Sequence, residues 1–146
     1  MRPSSSKIGD SGSVGTETGS VRVDDTEFAL PGLNGHRGVV TAGTIQVGQE
    51  ATAAIDSVRR ERIRKNHTGT HILHWALREI LGDHAHQAGS FVAPDRLRFD
   101  FSHHGALAPE EIAAVETLAN ERVIENASVM TVETSKQAAE AMGALA

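Results

Sequence analysis

The hydrophobic and polar positions follow two different periods in the two parts of the chain. In residues 1–56, short apolar runs alternate with polar residues and end at glycines, as they do around Val21 and Val23. This period of two is typical of half-buried strands. From Ser57 onward, apolar residues recur three and four positions apart, a spacing that predicts amphipathic helices. The pattern therefore predicts a β-rich subdomain over residues 1–56 and an α+β core over residues 57–146.

The β-rich subdomain is predicted to contain several closely spaced strands. After the strand at Val21 and Val23, further strands are expected over residues 38–41, 44–47 and 51–55, separated by glycine turns. Such spacing favours a small, barrel-like fold or a sandwich. The Ser- and Gly-rich start of the chain, through about residue 20, leaves partial disorder open as an alternative.

The core is predicted to alternate helices and strands. The first helix runs from Ser57 to Gly82 and carries an apolar stripe of Leu73, Ala76, Leu77 and Ile80. A strand is expected over residues 96–101, where Leu97, Phe99 and Phe101 alternate with charged residues. A second helix is expected from Pro109, a strand over residues 128–132, and a short last helix capped by Thr134 and ending near Gly143.

Composition and charge exclude several classes of protein. The 146 residues carry a formal net charge of -5 and contain no cysteine, which rules out disulfide scaffolds, cysteine nucleophiles and Cys-rich zinc modules within this chain. An acidic balance argues against a general nucleic-acid coat protein, so no DNA partner is expected. No apolar run reaches the roughly 18 residues that span a bilayer. We expect a cytoplasmic protein with no membrane partner.

Eight histidines are many for this length, and two of them have the spacing of metal ligands. His67 and His71 lie four residues apart on the predicted helix, so both imidazoles project from one face. Such a pair can bind one Zn²⁺, but zinc takes three or four protein ligands. The spacing alone does not choose among the remaining candidates, which are His84, His86, His103, His104, Asp83 and Asp100. Zinc proteases have a glutamate directly after the first histidine of such a pair, and this chain has Thr68 there. The pair is therefore not predicted to be a zinc-protease motif. Two polar histidines with no metal remain the simpler alternative.

A run of cations directly precedes the histidine pair on an otherwise acidic chain. Its members are Arg59, Arg60, Arg62, Arg64 and Lys65. Cations at a helix start oppose the helix dipole, so helix stability does not explain them. Contact with phosphate would explain them, and a solvated charged face is the alternative.

The chain resembles the editing domain of the alanyl-tRNA synthetase family. That family typically has Arg-Asn-His-Ser-Ala-Thr-His-Leu-Leu followed by Ala-Leu-Arg and Leu-Gly, and residues 64–82 match this pattern. The similarity continues through Gln-Ala-Gly-Ser at 87–90, Leu-Arg-Phe-Asp-Phe-Ser-His at 97–103, Pro-Glu-Glu-Ile at 109–112 and Ala-Met-Gly-Ala at 141–144. It therefore covers roughly residue 8 to the end.

The resemblance implies hydrolysis of a mischarged tRNA. In the family, this domain cleaves the ester that links serine or glycine to the 3′-terminal adenosine of tRNA(Ala). His67 and His71 match two zinc ligands, while Gln87, Thr70 and Ser90 match pocket positions. The expected partners are the acceptor end of tRNA(Ala) and its seryl or glycyl ester. The basic run at 59–65 is expected near that acceptor end.

Two departures from the family pattern bear on activity. The family's Glu-Ser-Gly-Gly-Gln before Ile8 is replaced here by Pro-Ser-Ser-Ser-Lys at 3–7. The family's later Cys-Gly-Gly-Thr-His segment, which carries the other two zinc ligands, has no match. We therefore expect the N-terminal portion of an editing domain, truncated at its C-terminus and inactive or weak in isolation. ATP and Mg²⁺ are expected only in the parent synthetase.

Two alternatives remain open from the sequence. The chain could derive from a free-standing trans-editing aminoacyl-tRNA deacylase, which shares the histidine pair and the later Cys/His motif. It could also be a catalytically inactive module that binds the tRNA acceptor end. Mutation of the basic run would weaken tRNA binding by such a module, while His67→Ala would leave it unchanged.

Overall fold

The structure, a computed structural model, describes residues 5–6 and 8–143 of the chain. Two sheets and three helices make up this part of the protein, which has a mixed α+β fold as predicted. In chain order the elements are β1 (Ser5–Ser6), β2 (Gly12–Gly15), β3 (Gly19–Leu30), β4 (Leu33–Gly43), β5 (Thr52–Ile55), α1 (Ser57–Leu81), β6 (Gln87–Val92), β7 (Leu97–Phe101), α2 (Pro109–Glu125) and α3 (Lys136–Ala141).

The first sheet is antiparallel, with strand order β4-β3-β2-β5. Its largest component is the β3–β4 hairpin, which turns at Gly32 with a φ of 80°. A positive φ is available to glycine without steric cost, so this residue suits the tip. Within the described residues, the outer strands β4 and β5 do not pair with each other, so the sheet is open and forms no closed barrel.

The strand predicted over residues 44–47 is wrong. The backbone there is irregular and ends in a turn at 47–48. Thr44 is instead held by the loop before β3: its N–H donates to the carbonyl of Thr18, and the Thr18 hydroxyl donates to the Thr44 carbonyl at 2.7 Å. The Gln46 N–H donates to the side chain of Gln49. These bonds replace a strand ladder as partners for the backbone.

The second sheet has the order β1-β6-β7, with β1 parallel to β6 and β6 antiparallel to β7. The predicted strand at 96–101 is confirmed as β7. Ser5 pairs with Ser90, so the start of the chain joins a sheet otherwise built from residues beyond 86. The division of the chain at residue 56 stays a prediction. The replaced stretch 3–7 lies outside the described residues except for residues 5–6.

The core lies where α1 and α2 pack against the second sheet. Ala76, Leu77 and Val115 are its buried members, and Phe99 and Phe101 from β7 pack against them. The helix α1 begins after Asp56, whose side chain accepts a hydrogen bond from the Arg59 N–H at 2.9 Å. It ends at Gly82, with a φ of 102°. The predicted bounds and most of the apolar stripe of α1 are therefore confirmed, although Ile80 is 38% exposed.

The end of the described chain departs from prediction at two places. Residues 128–132 are irregular, and their apolar side chains are exposed, so the strand predicted there is wrong. The last helix is present as α3, but its cap is Ser135 and not Thr134: the Ser135 hydroxyl accepts from the Ala138 N–H at 3.3 Å. Across the described residues, no helix is both long and apolar enough to cross a membrane.

Candidate functional site

His67 and His71 lie side by side on α1. Their ring centroids are 4.7 Å apart, with the rings nearly perpendicular, and both residues are exposed. The pKa of His71 lies below its ordinary value because partial burial disfavours the charged ring, and the positive charges of His67 and His74 add to this effect. A lowered pKa keeps the His71 imidazole neutral, which is the form that donates a lone pair to a metal.

The pair fits two positions of a zinc site, and the described residues supply no third. Two imidazoles one helical turn apart can share one ion. Across residues 5–6 and 8–143, however, no three His, Asp or Glu side chains come together so as to hold a metal ion. Within the described residues, the pair therefore offers two potential metal ligands and no more.

Three of the six other candidate ligands form a second histidine cluster, while Asp83 and Asp100 form ion pairs with Arg78 and Arg98. His84, in the loop after α1, and His103, in the loop after β7, share a hydrogen bond between Nε2 and Nδ1 at 2.9 Å. The ring of His104 stacks on His84 with centroids 4.7 Å apart. His84 and His103 are half-buried, whereas His104 is exposed.

Gln87 and Ser90 are brought together by an irregularity at the start of β6. Their side chains are hydrogen-bonded, the Gln87 amide donating to the Ser90 hydroxyl at 3.0 Å. The pairing with β7 steps from Gln87 opposite Phe101 to Gly89 opposite Asp100, which leaves Ala88 as the extra residue of a bulge. In a regular strand, residues three apart point to opposite faces. The bulge reverses that alternation and places both polar groups on one side.

Thr70 is buried within α1 between the two histidines of the pair. Only 5% of it is exposed, and its hydroxyl donates to the Asn66 carbonyl at 2.9 Å. The Asn66 amide in turn donates to the Ala93 carbonyl at the end of β6. The Thr70 proton is therefore used within the helix, so toward a ligand its hydroxyl could act only as an acceptor. The Asn66 bond fixes α1 against the strand that carries Gln87 and Ser90.

The five cations of the basic run have different surroundings. Arg59 donates to the Gly9 carbonyl at 2.8 Å, Arg60 forms an ion pair with Asp10, and Arg64 forms one with Glu61 at 2.6 Å. The remaining two are exposed and make no ion pair within the described part of the chain; they are Arg62 and Lys65. The structure does not gather all five into one patch.

Comparison with known proteins finds relatives along nearly the whole chain. The chain is 47% identical over 143 residues to alanine–tRNA ligase of Sorangium cellulosum, and 49% and 50% identical to those of Anaeromyxobacter sp. and Chloroflexus aurantiacus. Each alignment covers at least 97% of this chain. The chain is homologous to a segment of alanine–tRNA ligase. It spans 16% of the length of these relatives. No model in a scan of protein families matches it.

A third histidine, His74, extends the face of the pair on α1. His74 follows His71 by three residues, and its ring packs on Phe99 with centroids 5.1 Å apart. Its Nε2 is buried and has no hydrogen-bond partner in the described residues. A buried nitrogen without a partner costs free energy. The sequence signal was the spacing, which puts His74 next to His71 on α1.

Proposed function

We propose that this chain is the editing part of an alanine–tRNA ligase and that it acts on the ester linking serine or glycine to tRNA(Ala). Homology to alanine–tRNA ligase over 98% of the chain supports the parent enzyme. The observation that carries the editing assignment is the polar pair Gln87–Ser90, turned to one side of β6 by a bulge, on a strand that packs against the helix of the His67–His71 pair.

The histidine pair would hold one zinc ion. Zn²⁺ bound there would supply Lewis-acid chemistry toward the ester carbonyl or the attacking water. His67 and His71 would provide two of its ligands, and the neutral form favoured at His71 suits this role. The other two ligands would come from the Cys-Gly-Gly-Thr-His motif typical of the family.

Selection of the misattached amino acid falls to the polar groups. The Gln87 amide and the hydroxyls of Ser90 and Thr70 can hydrogen-bond a serine hydroxyl. The methyl group of alanine would leave those groups unpaired, and a site built for hydrogen bonds rejects an analogue that lacks them. Alanyl-tRNA, the correct product, would therefore be spared relative to seryl-tRNA; this selection concerns the seryl ester alone, since glycine has no side-chain hydroxyl.

The parent enzyme would place this chain in translation. It would carry ATP- and Mg²⁺-dependent ligation elsewhere in its length, act in the cytoplasm, and present the acceptor end of tRNA(Ala) to this site. The 146-residue chain alone would show little or no zinc-dependent hydrolysis, since its described residues offer two of four ligands.

Binding of uncleavable analogues tests the editing assignment without requiring activity. The probes are two RNA hairpins whose 3′-terminal adenosine carries serine or alanine through an amide. We expect the 146-residue chain to bind the seryl probe about tenfold more tightly, and Gln87→Ala and Ser90→Ala to remove the preference. Equal affinity for the two probes would contradict editing and would favour the inactive acceptor-binding module.

Metal analysis tests the half site separately. His67→Ala and His71→Ala should each abolish the zinc uptake of the purified chain, while His86→Ala, a change at an exposed loop residue, should leave it unaltered. Zinc uptake insensitive to His67→Ala and His71→Ala would overturn the ligand assignment. Tight stoichiometric zinc together with fast clearance of seryl-tRNA would overturn the two-ligand interpretation.

A further inference from the structure

The continuous helix α1 arranges part of the basic run in line with the histidine pair. Residues 60, 64, 67, 71 and 78 follow one another at intervals of four, three, four and seven. In an α-helix these intervals return to the same face. The face therefore carries Arg60, Arg64, His67, His71 and Arg78, which we call the α1 stripe.

Two other cations of the run lie on a different side of α1. Arg62 and Lys65 precede Gly69 by seven and four residues, so they share its face. At Gly69, this face meets β7, because a Cβ there would approach the Leu97 side chain at 3.3 Å. A ligand lying over His67 and His71 would therefore meet Arg60 and Arg64, and it would not meet Arg62 and Lys65.

The ion pairs of the α1 stripe are exposed enough to be exchanged. The side chains of Arg60 and Arg64 are 52% and 68% exposed, and those of their partners Asp10 and Glu61 are 32% and 55% exposed. Surface ion pairs of this kind contribute little to stability. Phosphate oxygens can replace the carboxylates through charge-assisted hydrogen bonds from the guanidinium groups.

We propose that the α1 stripe is a track for the phosphate backbone of the RNA strand that ends at the histidine pair. Arg64 and Arg60 contact successive phosphates leading away from the bound 3′ end. Four residues of helix separate them by about 6 Å along the axis, and eleven residues separate Arg60 from His71 by about 16 Å. The RNA identity of the ligand rests on the function proposed above, while the face that it follows rests on the geometry of α1.

Two double variants with equal charge change test this track. Arg60→Gln/Arg64→Gln removes two cations from the α1 stripe, and the matched control Arg62→Gln/Lys65→Gln removes two from the other face. The probe is an unacylated RNA hairpin with a single-stranded 3′ end terminating in adenosine, and affinity is measured by fluorescence anisotropy at several salt concentrations. Loss of two phosphate contacts on a single strand should lower the slope of log K against log salt by about 1.4. The control should keep the wild-type slope.

A further pair of variants separates binding from folding. Asp10→Asn and Glu61→Gln free Arg60 and Arg64 without removing them, so each should leave RNA binding unchanged or tighten it two- to threefold. A general loss of structure would weaken binding instead. Weaker binding in either variant, with its thermal unfolding unchanged, would overturn the proposal.

The remaining outcomes separate this proposal from the editing function. Equal losses in the stripe variant and the control would overturn the track, as would a wild-type chain that does not bind the hairpin at 50 mM salt. Neither result concerns the preference for seryl over alanyl probes. Conversely, a stripe-specific loss with no such preference would support the track and contradict editing.

Discussion

Replacing Gly69 by alanine should stabilise the protein. Gly69 lies in the interior of α1, where glycine costs about 0.8–1 kcal/mol relative to alanine because its unfolded backbone has more freedom to lose. The alanyl-tRNA synthetase pattern commonly has alanine at this place. The helix therefore gains close to 1 kcal/mol from the change before any contact of the new methyl group is counted.

The opposing contribution is one close contact. The new Cβ would lie 3.3 Å from Leu97 Cδ2. Apart from its chain neighbours and the backbone of α1, no other heavy atom of the described residues lies within 4 Å of it. That distance requires Leu97 to move by a few tenths of an ångström, and its methyl group is the far end of a flexible side chain. We assign this adjustment a cost of about 0.5 kcal/mol, below the roughly 1–3 kcal/mol typical of overpacking a core, because only the end of one flexible side chain has to move. The net gain is about 0.5 kcal/mol.

Thermal and urea unfolding followed by circular dichroism measure the result. A gain of about 0.5 kcal/mol raises Tm by roughly 1–2 °C for a chain of this size. In a Leu97→Ala background the contact is absent, so Gly69→Ala should stabilise by about 1 kcal/mol. Gly82→Ala is the opposite control: its φ of 102° strains any residue with a Cβ, so Tm should fall. Destabilisation by Gly69→Ala in both backgrounds would refute the reasoning.

Three further predictions concern the helices and their ends. Leu77→Ala should cost about 2–5 kcal/mol in urea unfolding because Leu77 is 3% exposed, and a loss no larger than that of Ile80→Ala, at 38% exposure, would contradict the core assignment. Asp56→Ala should cost about 1 kcal/mol by removing the cap of α1, with Asp56→Asn as the conservative control; equal losses in the two variants would contradict capping. The pKa of Asp83 lies below its ordinary value, chiefly because Arg78 donates a hydrogen bond to the carboxylate and also because of the positive charge of Arg78. The stabilisation that this pair gives the folded protein is therefore present above the pKa of Asp83 in the unfolded chain, and it is lost as pH falls through the lower pKa of the folded protein. The Tm difference between wild type and Asp83→Asn should therefore shrink from about pH 5 to about pH 2, and a pH-independent difference would contradict the pairing.

Helical periodicity predicted the core residues of α1 well, because a helix that packs on one apolar surface buries the residues of one face. Ala76 and Leu77 are buried, as their spacing predicts, and the alternation at Phe99 and Phe101 places both rings against that core. These predictions needed no knowledge of distant residues beyond the existence of an apolar partner.

Strand predictions failed where the backbone lacked a partner edge. Residues 128–132 have strand-like apolar character, yet no described strand pairs with them, and the apolar side chains of Val129 and Met130 remain exposed. Residues 44–47 make side-chain and turn hydrogen bonds in place of a ladder. A strand is stabilised by its neighbours, so the local sequence alone cannot decide whether it forms.

The candidate site shows the same division between local and non-local information. The histidine pair follows from helix geometry alone, since four residues make nearly one turn. The joining of Gln87 and Ser90 depends on a bulge at Ala88, which arises from the register against β7 and has no marker in the sequence. Strict alternation would have placed the two side chains on opposite faces. Gln87 and Ser90 could then not both belong to the predicted pocket.

For the basic run, the positions of the cations along the sequence carry more information than their number. Taken as a group, five cations in seven residues indicate one phosphate-binding patch. Taken with the period of α1, the same residues divide into Arg60 and Arg64 in line with His67 and His71, and Arg62 and Lys65 in line with Gly69. The structure adds that the Gly69 face meets Leu97 of β7. Under the proposed function, a ligand lying over the histidines would meet Arg60 and Arg64 and not Arg62 and Lys65. The position of each cation on the helix, more than the number of cations, would then decide which of them contact the ligand.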